Sequence, residues 1–454
     1  EHLIRIATVN FNEVLTLLQE LNKQTDDSHE DNLKEFLLSI CEELESSKIQ
    51  IRYNALSKLM LNFINQTDVN FMVNKNIEEN FNLHNLHEAL GIGMLNDLIK
   101  NLVFFYQKFT EFGKDVVNLK KMKLCFFIKV NLTLIFLFLF YFMNNEDIVF
   151  FIKNQGDEME EVILRFMKLS STHKYIPNRI LILVHYLFIR ILISDDSDDI
   201  NTCRKIEKRE KYLNKNNYER LFKPNTPKFF YDYERDNKYI EKFYRRNMIK
   251  KEKTDIERVV IVNILKTLLA IIEVNTGELV KEYIPELILK YHINVETDEA
   301  ADINVKSFLE NIQQKDKEFY NAIELINKVS ITSLIIIFYY TVLRTLQRYD
   351  LIQYSYFAFH LIDSNGLLVF LRILNLDFKN LEQQLYSIAE QNYISPNIVE
   401  LVEMIILFNL KVIYKTCFKN DEYIQKYLVD CKTHIMLRKI LFNYAEIGRA
   451  SCRE

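Results

Sequence analysis

Apolar side chains recur along most of the chain at steps of three and four residues, the spacing of one face of an α-helix. The clearest case is Tyr175–Ser194, which reads YIPNRILILVHYLFIRILIS. Pro177 stands where the first turn of a helix accepts proline, and a wide apolar face follows it. We therefore predict a core helix here, with a polar margin along one side.

The same spacing predicts helices in both halves of the chain. Their approximate bounds are 3–21, 32–45, 47–65, 81–112, 147–169, 256–274, 305–328, 330–347, 350–362, 367–374, 396–418 and 421–444. Glycine occurs 7 times and proline 5 times in 454 residues, whereas strand-rich folds and phosphate-binding loops need more glycine. We predict an all-α fold, an irregular armadillo/HEAT-like α-solenoid of stacked helix pairs.

The most apolar stretch is Val130–Met143, VNLTLIFLFLFYFM. Its 14 residues fall short of the ~20 that a membrane-spanning helix needs. We expect a buried core helix. A short or re-entrant membrane segment and a translated intron are two alternatives that the sequence leaves open, so membrane contact is open as well.

Charge divides the chain into segments. The whole chain has 58 basic and 62 acidic residues, a net charge of −4, but residues 204–253 contain 17 Lys and Arg against 8 Asp and Glu. This predicts an N-terminal helical domain over 1–203, a basic, aromatic-rich linker over 204–253 and a C-terminal helical domain over 254–445. Residues 446–454 end in IGRASCRE, which resembles a translated sequencing adapter, so we base no functional argument on them.

The basic segment has three interpretations. It is a linker with solvated charges, a site where several cations converge on a polyphosphate, or a surface for single-stranded nucleic acid. The candidate polyanion-binding residues are Lys205, Lys208, Arg209, Arg245, Arg246, Lys250 and Lys251.

Sequence patterns of catalytic and metal sites are missing or incomplete. There is no GxSxG, Gly91 and Gly93 lack the third glycine of a dinucleotide loop, and the 6 cysteines form no CxxC. His84 and His87 are predicted as a surface pair, and His360 as a packed core histidine. We predict no enzymatic activity, no metal site and no required cofactor. Widely spaced cysteines favour a reduced, cytoplasmic protein.

Two stretches resemble signatures of the striatin-interacting protein family, which includes the yeast factor-arrest homologues. Tyr175–Arg209 contains an Ile-Pro pair, the run ILILV and a Lys-x-x-Lys-Arg cluster, and Ser330–Asn375 contains an aromatic pair, a His-Leu step and a Leu-Leu-x-Phe-Leu helix. The matching residues are Ile176, Pro177, Ile180, Leu181, Leu183, Tyr356, Phe357, His360, Leu361 and Phe370. Weaker likenesses lie at Arg52–Leu59 and Leu265–Ala270.

The resemblance implies a non-catalytic scaffold of the striatin-interacting phosphatase and kinase (STRIPAK) complex. Expected partners are a striatin-type coiled-coil protein, the scaffold and catalytic subunits of protein phosphatase 2A (PP2A), and kinase/Mob-type modules. The family also implies an inositol polyphosphate as a structural ligand. Unlike many relatives, this chain has no tryptophan. The alternative function is an α-solenoid that binds nucleic acid or polyphosphate through residues 204–253.

Overall fold

A computed structural model describes the architecture. The described residues are 33–63, 81–113, 116–143, 145–170, 173, 175–194, 283–292, 303–315, 317–349, 364–390, 400–417 and 428–443, with isolated positions within 14–18, 262–268 and 354–362 and at 426. Helices make up 87% of this part of the chain, and it contains no strands. The all-α prediction is confirmed, while the stacking order of a solenoid stays a prediction.

The helices whose bounds the structure describes are numbered in chain order. Those before the basic segment are α1 (Leu33–Glu45), α2 (Ile49–Asn62), α3 (Leu83–Gly91), α4 (Met94–Thr110), α5 (Leu119–Tyr141), α6 (Glu146–Ser170) and α7 (Asn178–Ser194). Those after it are α8 (Ile284–His292), α9 (Val305–Lys315), α10 (Lys317–Tyr349), α11 (Gly366–Leu374), α12 (Phe378–Glu390), α13 (Glu400–Thr416) and α14 (Thr433–Asn443).

Short polar residues fix several helix starts. Asn82 and Asn118 precede α3 and α5, and the side-chain oxygen of each accepts a hydrogen bond from a backbone N–H in the first turn. Gly93 precedes α4 with φ of +85°, a conformation that glycine adopts without steric cost. Gly91 and Gly93 therefore stand at the turn between α3 and α4.

Helix α5 is the centre of the first half. It packs against α2, α4, α7 and α8, and nearly every side chain from Leu119 to Leu139 is buried. A helix that is apolar all round can only be stable when it is covered on all sides. The predicted Val130–Met143 element is therefore the second half of a longer core helix, which begins eleven residues earlier, at Leu119.

The longest helix, α10, organises the second half. Its 33 residues extend about 50 Å and contact α7, α9, α12 and α13. The predicted break before Ser330 is wrong, because residues 317–349 form one helix. The hydroxyl of Ser330 bonds to the carbonyl of Asn327 at 3.3 Å, and that of Ser333 bonds to the carbonyl of Ser330 at 2.9 Å. These serines bond back into the helix and do not cap a new one.

Helices from the two sides of the basic segment pack together. Helix α5 contacts α8, and α7 contacts α10. The backbone also connects the two sides, because the N–H of Ile303 donates to the carbonyl of Val117 at 2.6 Å. The described helices of the two predicted domains therefore share apolar core surfaces.

Within the described part of the chain, two stretches are long and apolar enough to cross a membrane. They are Leu119–Tyr141, with mean hydropathy 2.2, and Tyr320–Arg344, with mean hydropathy 1.6. The protein itself buries 89% of the best window in the first and 72% in the second. Core helices of soluble proteins can have the same length and apolar composition. Length and hydropathy therefore do not distinguish a membrane-spanning helix from a helix buried in a protein core.

Candidate functional site: where the two signature stretches meet

The seven predicted polyanion-binding residues lie outside the described part of the chain. They are Lys205, Lys208, Arg209, Arg245, Arg246, Lys250 and Lys251. The acidic sequence DDSDD at 195–199, the adapter-like residues 446–454 and Tyr356 also lie outside it. The remaining signature residues are described, and they lie in or beside the core.

Helix α7 carries the first signature. Pro177 directly precedes the helix, and its carbonyl accepts a hydrogen bond from the N–H of Leu181 at 3.3 Å. Proline is suited to this position, because the N–H that it lacks would have no partner within the helix. Ile176, Ile180, Leu181 and Leu183 are all buried. These side chains build the core and present no chemistry to solvent.

The second signature surrounds Tyr339 of α10, whose ring is completely buried. Its centroid lies 6.0 Å from the ring of Phe357 and 5.5 Å from the ring of Phe370. Phe338 lies 5.7 Å away on the same helix and stacks on His185 of α7 at 6.0 Å. A chain of aromatic rings thus connects the first signature helix to the second signature stretch. Burial raises the pKa of Tyr339 well above its usual value, so this phenol stays neutral.

His360 and Leu361 are also buried. The prediction of a packed histidine at position 360 agrees with this burial. Leu361 lies against Gly366, where an added Cβ would lie 2.7 Å from the carbonyl oxygen of Leu361 and 2.7 Å from its Cδ1 atom. Asn365 takes the left-handed conformation, with φ of 59°. Asn365 therefore allows the chain to bend tightly, and Gly366 allows it to pass close to Leu361.

Polar groups join α7 to α10 beside these rings. Arg179 is 1% exposed, and its Nη1 atom lies 3.4 Å from the hydroxyl of Ser330. Asn327 is equally buried, and neither polar atom of its amide has a hydrogen-bond partner in the described structure. The Arg179–Ser330 and His185–Phe338 contacts advance in the same direction along both helices, so α7 and α10 run roughly parallel here.

A second polar junction joins α5 to α8. The ammonium of Lys129 donates to the carboxylate of Glu286, and the two side chains are only 2% and 4% exposed. The ring centroid of Tyr283 lies 5.9 Å from the same ammonium. Burial of a charged pair is favourable only when the partners remove much of the cost of desolvation. This ion pair therefore holds α5 and α8 in one register.

Other buried polar groups within each half also bond to backbone. Asn131 of α5 donates to the carbonyl of Leu98 at 2.9 Å, and Asn409 of α13 donates to the carbonyl of Phe370 at 2.9 Å. One buried side-chain amide thus joins α5 to α4, and another joins α13 to α11. Lys121 bonds to the carbonyls of Gly113 and Val116, each at 2.9 Å, beyond the end of α4.

Two features of the described surface lie outside this core. A groove of about 660 Å³ lies between the α3–α4 turn and the start of α6, lined by His87, Leu90, Gly91, Gly93, Leu95, Asn96, Asn145, Ile148, Phe150 and Phe151. Phe150 is 70% exposed. On the other half, Arg344 and Lys411 lie near the ring of Tyr340.

The described residues offer no candidate metal site. No three His, Cys, Asp or Glu side chains among them lie close enough to hold a metal ion. His84 and His87 are exposed, and His87 packs edge-on against Phe142 at 4.6 Å between ring centroids. His87 therefore serves as an aromatic contact at the edge of the core.

Sequence patterns missed the residues that connect helices from the two sides of the basic segment. Nothing in the spacing distinguishes Lys129, Glu286, Arg179 or Ser330 from solvent-facing positions. One signal was present: Lys129 interrupts an otherwise apolar run, and a lysine there needs a buried partner. Glu286 lies 157 positions after Lys129. No sequence pattern relates residues so far apart, so Glu286 could not be identified as the partner from sequence.

The chain was compared with models of known families, with characterised proteins and with solved structures, and none of these comparisons gives a match. The resemblance to striatin-interacting proteins therefore rests on the two sequence stretches described above.

Proposed function

We propose that the chain is a non-catalytic scaffold of the striatin-interacting type. One observation carries the proposal: the two stretches that resemble the family signatures pack against each other. Helix α7 contacts α10, with Arg179 near Ser330 and His185 stacked on Phe338. Two signatures that are distant in sequence form one core, as expected when both maintain the same architecture.

A helical framework of this kind suits a scaffold. Its core helices are fixed by burial. The predicted solenoid of stacked helix pairs would leave elongated surfaces for other proteins. Several large apolar side chains are exposed on these surfaces, namely Leu38, Leu83, Phe150, Tyr386, Tyr414, Val429 and Ile435. Aromatic residues are enriched in protein–protein interfaces, so the exposed rings of Phe150, Tyr386 and Tyr414 fit a role in protein contacts.

The mechanism that follows is proximity. A scaffold that holds a striatin-type coiled coil, PP2A subunits and a kinase/Mob-type module raises the effective concentration of kinase and phosphatase near shared substrates. No side chain of the scaffold takes part in the chemistry, and no cofactor is required. An inositol polyphosphate bound to the basic segment would have a structural role.

The alternative function assigns the basic segment a polyanion ligand. Residues 204–253 contain 17 Lys and Arg against 8 Asp and Glu, and such a segment binds phosphate backbones with a strong dependence on salt. The two functions predict different behaviour when those cations are removed.

The test combines size-exclusion chromatography with light scattering. The chain is mixed with a striatin-type coiled-coil protein and a PP2A scaffold subunit at low and at physiological ionic strength. We expect a complex of defined mass under both conditions, because apolar interfaces respond weakly to salt. Separate elution of folded proteins would overturn the scaffold proposal.

A matched variant separates the two functions. In it, the seven candidate basic residues between Lys205 and Lys251 are replaced by glutamine. The scaffold proposal predicts that the protein complex still forms. If the wild-type chain instead binds single-stranded oligonucleotide or inositol polyphosphate without forming the complex, and the variant loses this binding, the alternative function replaces the scaffold.

A further inference from the structure

The groove between the α3–α4 turn and the start of α6, here called the α3–α6 groove, has an apolar floor and a polar margin. Its volume of about 660 Å³ is typical of a ligand site. Leu95 and Ile148 line it and are buried in the core, while Phe150 beside them is 70% exposed. His87 and Asn96 add polar groups to the lining. Protein interfaces have the same arrangement, an apolar centre within a polar rim.

Backbone hydrogen bonds fix both walls of the groove. In the α3–α4 turn, the N–H of Gly93 donates to the carbonyl of Leu90 at 3.0 Å, and the N–H of Asn96 donates to the carbonyl of Gly93 at 3.0 Å. On the other wall, the N–H of Asn145 donates to the carbonyl of Phe142 at 2.9 Å. A ligand therefore meets a surface that is already ordered, which lowers the entropic cost of binding.

Two exposed carboxylates flank the groove, one on each wall. Glu88 lies three residues before Gly91, and Glu146 lies four residues before Phe150. These spacings place both members of each pair on the same side of a helix, and Gly91 and Phe150 line the groove. Neither carboxylate pairs with a basic side chain in the described part of the chain, and the described lining contains no lysine or arginine. The rim of the groove therefore carries negative charge that no described cation neutralises.

The charge and shape of the groove favour one kind of ligand. Cationic side chains complement Glu88 and Glu146, whereas an anionic membrane surface would be repelled by them. A peptide that adds a strand needs an exposed sheet edge, and the described part of the chain contains no strands. An amphipathic helix instead places its apolar face in a hydrophobic groove.

We propose that the α3–α6 groove binds a basic amphipathic helix of a partner protein. Apolar side chains of the partner enter the groove beside Phe150, and its Lys or Arg side chains face Glu88 and Glu146. The inference rests on the proposed scaffold function in one respect, since it takes the ligand to be another protein. It extends that function by naming the chemistry of one docking surface.

The apolar contact is tested with a fluorescein-labelled peptide of repeat LKKLLKL, which forms a helix with an apolar and a basic face. Its fluorescence anisotropy is measured with the full chain as wild type, as Phe150→Ala and as the control Tyr386→Ala. The control removes another exposed ring, 55% exposed on α12. We expect Phe150→Ala to weaken binding by about tenfold or more, because aromatic anchors dominate interface energies. Tyr386→Ala should stay within about twofold of wild type.

The acidic rim is tested by removing its charge. We expect Glu88→Gln/Glu146→Gln to weaken binding of the same peptide by about fivefold, a modest loss because exposed ion pairs are weak. The control Glu35→Gln/Glu42→Gln makes the same change in net charge at exposed positions on α1 and should stay within about twofold. Thermal unfolding followed by circular dichroism verifies that each variant is folded.

Several results would overturn the proposal. One is an equal effect of a groove variant and its control, and another is tighter binding of an acidic peptide of repeat LEELLEL than of LKKLLKL. A third is no binding of LKKLLKL by wild type, the result expected if residues 204–253 of the same chain occupied the groove.

Vesicles of phosphatidylcholine test a lipid surface as the other class of ligand. If they bind wild type but not Phe150→Ala, and the peptide does not bind, the groove contacts membranes and the proposal is wrong. The peptide measurement needs neither striatin nor PP2A. Its failure is therefore distinct from failure of the scaffold test.

Discussion

The two junctions between the halves use different chemistry for the same task. At the α5–α8 junction, Lys129 and Glu286 form a buried ion pair. At the α7–α10 junction, a chain of aromatic rings dominates, accompanied by a long polar contact from Arg179 to Ser330. Opposite charges specify one register, because any displacement leaves a buried ion without its partner. Rings tolerate small displacements, so we infer that the first junction sets the register and the second supplies apolar contact.

The largest expected effect is at the ionic junction. Lys129→Met should destabilise the protein by about 3–5 kcal/mol, because the Glu286 carboxylate stays buried after its counter-ion is removed. Urea unfolding followed by circular dichroism measures the change. The double variant Lys129→Met/Glu286→Leu should recover most of the loss. A single variant as stable as wild type would contradict the role of this pair.

A smaller effect is expected at the tight turn that supports the aromatic junction. Gly366→Ala places a Cβ 2.7 Å from the Leu361 carbonyl, which backbone shifts must relieve at a cost of about 1–3 kcal/mol. Unfolding in urea again gives the value. Gly91→Ala is the control, because no atom lies within 4 Å of its added Cβ. Equal stability of the two variants would show that Leu361 moves freely.

The polar contact at the aromatic junction should matter less. Ser330→Ala removes the hydroxyl that lies 3.4 Å from Arg179, and a hydrogen bond to a charged group contributes about 1.5–3 kcal/mol when its geometry is good. We expect a loss of about 1 kcal/mol or less, since this contact is long. A loss as large as that of Lys129→Met would mean that both junctions depend on charge.

The smallest change in stability is expected at an ion pair on the surface, which serves as the reference for the buried pair. Lys58 and Glu43 are 2.8 Å apart, with side chains 49% and 25% exposed. Lys58→Gln should therefore change the free energy of unfolding by less than about 1 kcal/mol. A double-mutant cycle with Glu43→Gln checks the pair energy. A coupling near that of Lys129 and Glu286 would remove the distinction between buried and exposed pairs.

Periodicity predicted the all-α class and most helix positions because helix faces are local features of sequence. The predicted helix at 147–169 is observed as Glu146–Ser170, and that at 367–374 as Gly366–Leu374. Local rules failed at Ser330, where a serine read as a boundary bonds back into the helix. They also shortened α5: the predicted apolar element starts at Val130, directly after Lys129, whereas the helix begins at Leu119 and this lysine is paired inside the core.

The candidate site was less accessible from sequence. The signature residues around Phe370 and Ile180 were chosen by resemblance, and the structure places them in the core without assigning them a partner. Contacts such as Arg179–Ser330 join positions 151 residues apart, and no spacing rule selects such pairs. The basic residues of the linker lie outside the described structure, so their role is still a prediction from composition.

The most direct measurement follows from the claim that both junctions belong to one core. Hydrogen exchange read by mass spectrometry is compared between wild type and Lys129→Met, peptide by peptide. If the halves form one cooperative unit, the variant loses protection in α7 and α10 as well as in α5 and α8. Loss of protection confined to α5 and α8 would contradict the shared core and would leave the two signature helices as a separate unit.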